Sequence, residues 1–102
     1  MSELEQQIIQ IISSAGESKA KAFEALKKVK TGEFDAAKEL LEESRKIDLE
    51  AHKAQTKLIQ QEMDPDAEKA PITLLMVHAQ DHYMTSQLAR DLIEAIIDIF
   101  DK

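Results

Sequence analysis

The sequence predicts an all-α fold: an antiparallel up-down-up three-helix bundle forming a single domain over residues 1–102. Three observations predict it. The 102 residues include only two glycines, two prolines and four aromatic side chains, although 43% are hydrophobic, a composition that suits long helices better than sheets. Apolar residues recur at steps of three and four in three separate stretches. The stretches are joined by short connections, which make consecutive helices antiparallel neighbours.

The first helix opens on a capping box. Ser2 caps it and Glu5, three residues on, completes the box. Its stripe is Leu4, Ile8, Ile11, Ala15, Ala22, Leu26 and Val29, and Thr31-Gly32 ends it with Gly32 as the residue past the cap. Gly16 lies mid-helix, where glycine costs about 1 kcal/mol against alanine, so it is expected to permit a close approach. The second stripe runs Phe34, Ala37, Leu41, Ser44, Ile47, Ala51, Gln55 and Leu58. Residues 63–71 (MDPDAEKAP) read as the next loop, since the residue before Pro65 disfavours helix. Pro71 suits an early position of the third helix. Glu24 with Lys28, and Glu42 with Lys46, have the spacing and order of stabilising pairs.

The third helix is apolar around an arc roughly 220° wide at about 100° per residue, whereas one bundle core needs about 100°. It is therefore expected to be buried on two sides, by its own bundle and by a partner copy. Gln80, Gln87, Glu94 and Asp98 form the opposite, wet face, with Tyr83 near it. A slender rod also has a poor ratio of core to surface, which self-association would correct.

Composition excludes several classes of function. Lys and Arg number 13 against 20 Asp and Glu, a net charge of −7. Phosphate backbones are bound by clustered cations, so nucleic acid is not an expected partner. There is no cysteine, hence no disulfide and no thiolate chemistry from this chain. The opening MSELEQQ has neither the charge nor the apolar run of a signal peptide, and no apolar run spans a membrane. A cytoplasmic protein without direct membrane insertion is the expectation.

The candidate site interrupts the apolar arc. His78, Asp81, His82 and Thr85 fall at about 0°, −60°, +40° and −20° on the helical wheel, among leucines and isoleucines. Buried polar groups are costly unless paired. Pairing helices two and three across their loop levels positions whose numbers sum to about 134, bringing His52 toward His82 and Thr56 toward His78, with Gln55 close by. Sums of about 64 across the first turn bring Ser13, Ser14 and Gly16 toward Asp48 and His52. Three readings of this layer stand. His78 and His82, one turn apart, could bind zinc with Asp81 as third ligand, although the metalloprotease pattern needs Glu where Ala79 stands. The layer could be a hydrogen-bonded register device. Or a neutral histidine could be a nucleophile that carries a phosphoryl group.

The run LLMVHAQDHYMTSQLA resembles the signature of the lactose/cellobiose family of enzyme IIA components of the sugar phosphotransferase system. AGESKAKAFEALKKVKTGEFDAAKELLEES and EAHKAQTKLIQQE extend the likeness, in order and at the right spacing, over nearly the whole chain. Tyr83 stands where leucine is commoner. The resemblance implies a three-helix subunit that assembles as a homotrimer around helix three. It implies that His78 carries the phosphoryl group on Nε2, received from the histidine-containing phosphocarrier protein and passed to a cysteine of the IIB component. Sugar of the β-linked disaccharide class then crosses through the IIC permease. It implies that Asp81 faces the threefold axis, where three copies share a divalent cation, usually magnesium. His82 is expected either to support the phosphoryl group or to bond across to His52. Docking is expected in a groove between subunits at the level of His78, with Met84 and Val77 on its rim. A phosphotransfer domain of two-component signalling does not fit, because its His-x-x-Lys-Gly pattern meets Asp81 and His82 here. A non-catalytic metal-binding or structural bundle is the alternative from another class.

Overall fold

The computed structural model describes residues 2–102; Met1, the first residue of the expected domain, lies outside the described residues. Three helices make up the fold: α1 (Glu3–Lys30), α2 (Phe34–Met63) and α3 (Leu74–Phe100). They form a bundle 52 × 25 × 19 Å in extent. Among the described residues no helix is long and apolar enough to cross a membrane.

Local chemistry sets the boundaries. Ser2 Oγ accepts from Glu5 N at 3.1 Å, and Glu3 and Glu5 face the positive end of the α1 dipole while Lys27, Lys28 and Lys30 face its negative end. Gly32 stands past the Thr31 cap with φ 74°, the left-handed turn that glycine adopts without strain. The third boundary corrects the sequence reading. Pro71 lies outside α3, and Thr73 caps it by accepting from Met76 N at 3.2 Å. A hydroxyl that satisfies a free N–H fixes the start more firmly than a proline that only supplies a suitable φ.

α1 packs along both neighbours, and α2 and α3 meet each other least. The core is built from small residues. Ala15, Ala22, Ala25, Ala37, Ala51 and Ala79 are fully buried, which lets the backbones approach closely. Ser18 and Ser44 lie at the α1–α2 contact, where Ser18 Oγ donates to Ser44 O at 2.9 Å and Ser44 Oγ to Ser18 O at 2.8 Å. This contact agrees with the expected α1–α2 register, in which position numbers sum to about 64. Ile11 and Ile97 are the largest fully buried apolar side chains, each contributing about 1.5–3 kcal/mol.

Other expectations need correcting. The pairs Glu24–Lys28 and Glu42–Lys46 do not form. Lys28 Nζ reaches Glu33 at 3.8 Å, and Glu42 takes Arg45 at 3.4 Å. Such exposed pairs are worth little in either arrangement. Gly16 permits no close approach within the chain, because a Cβ built on it would meet nothing within 4 Å.

The rotation of α3 about its axis is the main correction. Tyr83, placed near the wet face, is buried with Ala79, Ser86, Ile93 and Ile97. Gln80, Gln87 and Glu94 are half-buried against α2, where Gln80 and Gln55 bond reciprocally and Glu94 pairs with Arg45; only Asp98 stays fully exposed. The opposite side of the arc faces outward. Leu74 (85%), Met84 (63%), Leu92 (55%) and Ile99 (60%) are exposed. The bundle thus covers one edge of the apolar arc and leaves the other open.

Candidate functional site

His78 lies where the covered and open parts of α3 meet. It is exposed, four residues beyond the helix start, beside Leu74 and Leu75 at the edge of a shallow apolar cup. Four residues on, the half-buried His82 meets it edge-on, with ring centroids 4.5 Å apart and planes at 83°. An i,i+4 spacing stacks two side chains on one helix face, so the sequence dictates this contact once the helix forms.

The two imidazoles differ in environment. His82 Nδ1 is buried without a hydrogen-bond partner among the described residues. Its pKa is lowered first by burial, then by His78 and by Lys19, against an upward pull from Asp81. His82 is therefore neutral at pH 7. A depressed folded pKa favours the neutral form, so its contribution to stability is present above the ordinary value near 6.5 and declines as pH falls through that value toward the folded pKa. We expect His82 to titrate below the ordinary histidine value in ¹H–¹⁵N spectra, and His82→Gln to flatten part of the loss of stability on acidification.

Asp81 is exposed on the open apolar row. Thr85 Oγ1 donates back to Asp81 O at 2.7 Å, also lies 3.3 Å from His82 O, and accepts from Lys19 Nζ at 3.0 Å. Lys19, from α1, is the residue that sequence reasoning missed. No loop joins α1 to α3, so loop length could not set their register, and only the assembled bundle places position 19 level with position 85.

His52 is not part of this group. The layer expected to join it to His82 instead joins it to Tyr83, whose hydroxyl lies 2.7 Å from His52 Nδ1 and accepts from Gln87 Nε2 at 3.0 Å. Burial first, then Asp48, raise the tyrosine pKa, so the phenol keeps its proton in this hydrogen bond with His52. Beyond it Arg90 Nη1 meets Asp48 Oδ2 at 2.5 Å and Ser86 Oγ approaches Asp48 Oδ1 at 3.4 Å. These links, with Gln55–Gln80, form a register device between α2 and α3. One expected layer is thus two: one toward α2, and one at the α1–α3 seam. His82 bonds to nothing on α2, which leaves its contact with His78.

Among the described residues no three His, Cys, Asp or Glu side chains converge within the chain as ligands for one ion. His78, His82 and Asp81 therefore form no zinc site in one subunit. What the seam offers is an exposed imidazole backed by a neutral one, with a cation from α1 one turn further along α3.

Comparison with known proteins finds the same architecture. The family model described as "PTS system, Lactose/Cellobiose specific IIA subunit" matches residues 6–101. The "PTS system N,N'-diacetylchitobiose-specific EIIA component" of Escherichia coli (strain K12) is 45% identical over 100 residues, covering 98% of this chain and 84% of that protein. The crystal structure of the PTS cellobiose-specific enzyme IIA from Bacillus anthracis superposes with a TM-score of 0.91 at 36% identity, covering 99% of this chain and 91% of that one. The IIA(Chitobiose) chain in the solution structures of its complex with HPr, from the N,N'-diacetylchitobiose branch of the Escherichia coli phosphotransferase system, gives 0.80 at 42% identity, covering 99% and 96%.

Proposed function

The chain belongs to the lactose/cellobiose-specific IIA family of the sugar phosphotransferase system, and on that premise we propose that it carries a phosphoryl group on Nε2 of His78. The observation that carries this reading is the contrast between the two seam histidines: His78 is exposed, while His82 behind it is neutral and half-buried. A nucleophile that serves two proteins in turn must be reachable from solvent, and a neutral neighbour does not compete for a proton.

The donor is the histidine-containing phosphocarrier protein. The lone pair of His78 Nε2 attacks phosphorus, the donor's P–N bond breaks, and the donor imidazole leaves with that electron pair. Each ring keeps the hydrogen on its other nitrogen, so no net proton is released. In the second step a cysteine thiolate of the IIB component attacks, a P–S bond forms, and His78 leaves as neutral imidazole. His82 supports the phosphoryl group by presenting a neutral ring that can donate one hydrogen bond. The IIC permease then couples phosphorylation to uptake of a β-linked disaccharide. The known relatives act with sugars named as chitobiose and cellobiose, and the site of this chain need not touch the sugar. The 102 residues act as one domain in the cytoplasm.

Assembly completes the site. The open row of α3 is too apolar to stay in water, and we place it at the centre of a homotrimer. Asp81 lies on that row, so three carboxylates converge there. They repel unless bridged by a cation, and an oxygen-only set suits magnesium or a similar hard ion. One subunit supplies a single carboxylate, so only the assembly fits the ion, whose contribution would be charge neutralisation and not chemistry at His78. Asp81→Leu is expected to abolish binding of the ion and to keep or strengthen self-association, because apolar replacement of converging buried charge is often stabilising. Sedimentation that finds only monomer for this variant would place Asp81 elsewhere.

The test of the main reading is incubation with the phosphocarrier protein, its kinase and phosphoenolpyruvate. One acid-labile phosphate per subunit, located on His78, is the expected product. No phosphate on the wild-type chain would favour a purely structural bundle.

A further inference from the structure

We propose that Lys19 of α1 is the phosphoryl-binding cation of this site, held at rest by Thr85. The inference rests on His78 as the phosphoryl carrier.

A phosphoryl group brings close to two negative charges to His78, in a chain of net charge −7 and three residues from Asp81. α3 has no basic residue between Leu74 and Ala89. Its first, Arg90, is committed to the buried Asp48. A cation for the product must therefore come from another element, and α1 is the one that flanks the seam.

Lys19 has the right attachments. Its ammonium crosses the seam to Thr85 Oγ1 at 3.0 Å. Thr85 stands seven residues beyond His78, on the same row of the helix, and spends its own hydrogen on Asp81 O. Among the described residues Lys19 has no carboxylate within 4.0 Å, whereas the neighbouring Lys21 meets Glu24 at 3.9 Å and Glu43 at 3.6 Å. A hydroxyl partner is easily exchanged for a phosphoryl oxygen, because hydrogen bonds to ionised acceptors are about twice as strong as those to neutral ones. Its field already reaches the site, since it is one of the groups that hold His82 neutral.

Gly16 supplies the space. It precedes Lys19 by three residues, so the two share a face of α1. A Cβ there would meet nothing within 4 Å, so the space beside it is open. α1 and α3 run parallel in this bundle, and helical side chains lean toward the helix N-terminus. The lean of Lys19 is therefore toward that open space and toward the N-terminal end of α3, where His82 and His78 lie. Lys19 keeps its protons throughout and donates up to three hydrogen bonds to phosphoryl oxygens.

The experiment measures the equilibrium of phosphoryl exchange with the phosphocarrier protein for wild type, Lys19→Gln, Lys19→Arg and Thr85→Val. Losing a charge-assisted contact should lower the exchange equilibrium constant of Lys19→Gln about tenfold or more. Lys19→Arg should recover most of it. Thr85→Val removes the resting partner and the back-bond to Asp81 O, neither of which holds the phosphoryl group in this proposal, so its equilibrium should match or exceed wild type. In the unphosphorylated protein His82 should titrate higher in Lys19→Gln, a readout that needs no phosphoryl transfer. A wild-type equilibrium for Lys19→Gln with phosphate on His78 would overturn the role of Lys19 and leave the carrier reading intact. A Thr85→Val equilibrium as low as that of Lys19→Gln would overturn it too. No phosphate on wild-type His78 would overturn both.

Discussion

His78→Ala is expected to abolish phosphate uptake from the phosphocarrier protein while leaving the helical circular-dichroism signal and the unfolding midpoint close to wild type. The two halves of this expectation have separate causes. Chemistry is lost completely because neither remaining histidine can replace His78. His52 Nδ1 is engaged by the Tyr83 hydroxyl on the α2 side of the bundle. His82 is half-buried, with Nδ1 enclosed. Stability is kept because the His78 side chain is exposed, and exposed substitutions away from caps and ion pairs usually lie within about 0.5 kcal/mol of neutral. Alanine is also the best helix former. Mass analysis before and after acid treatment reads the first half, and urea unfolding at fixed protomer concentration reads the second. Acid-labile phosphate on the variant would move the carrier role to another residue. A collapse of stability would show that the 4.5 Å contact with His82 is structural.

The site was legible in the sequence where a local pattern carried it. His78 and His82 at i,i+4 must meet on a helix, and they do. The three helices and the Gly32 turn followed from period and punctuation in the same way. The phase of α3 was not legible, for a physical reason. Its apolar arc has two edges, and size suggests that Leu74, Leu92 and Ile99 belong inside. The bundle instead buries Ala79 and Tyr83 with Ile8, Ile11, Ala51 and Leu58, and Ser86 beside Asp48. The large residues are left exposed. Lys19 escaped for a different reason: α1 and α3 share no loop, so their register appears only in three dimensions. The likeness to the IIA family pointed to His78 as the expected nucleophile, yet it said nothing of Arg90 and Asp48. Those two are ordinary charges in the sequence and a buried ion pair in the fold.

That pair carries the largest stability effect we expect. Arg90→Met should destabilise the protein by about 3–5 kcal/mol, because removing one partner leaves the other as an uncompensated buried charge. Asp48 is buried at 3% exposure and meets Arg90 Nη1 at 2.5 Å. With the guanidinium gone, only Ser86 Oγ at 3.4 Å remains, a long contact from a hydroxyl that also donates to Tyr83 O at 2.8 Å. One weak neutral donor cannot replace a charged one. The double replacement Asp48→Leu with Arg90→Met should recover most of the loss, since exchanging a whole buried pair for apolar groups of similar volume is often neutral or better. The cycle of single and double variants separates the pair from its surroundings. Because an assembling chain gains apparent stability with concentration, all four proteins must be unfolded at one protomer concentration. Their capacity to take phosphate on His78 should survive where they are folded, for the pair lies toward α2 and the carrier at the α1 seam. A single variant of wild-type stability would mean that water reaches Asp48 freely. A double variant no better than Arg90→Met would mean that packing around Tyr83 and Ser86, and not charge, decides the energy of this layer.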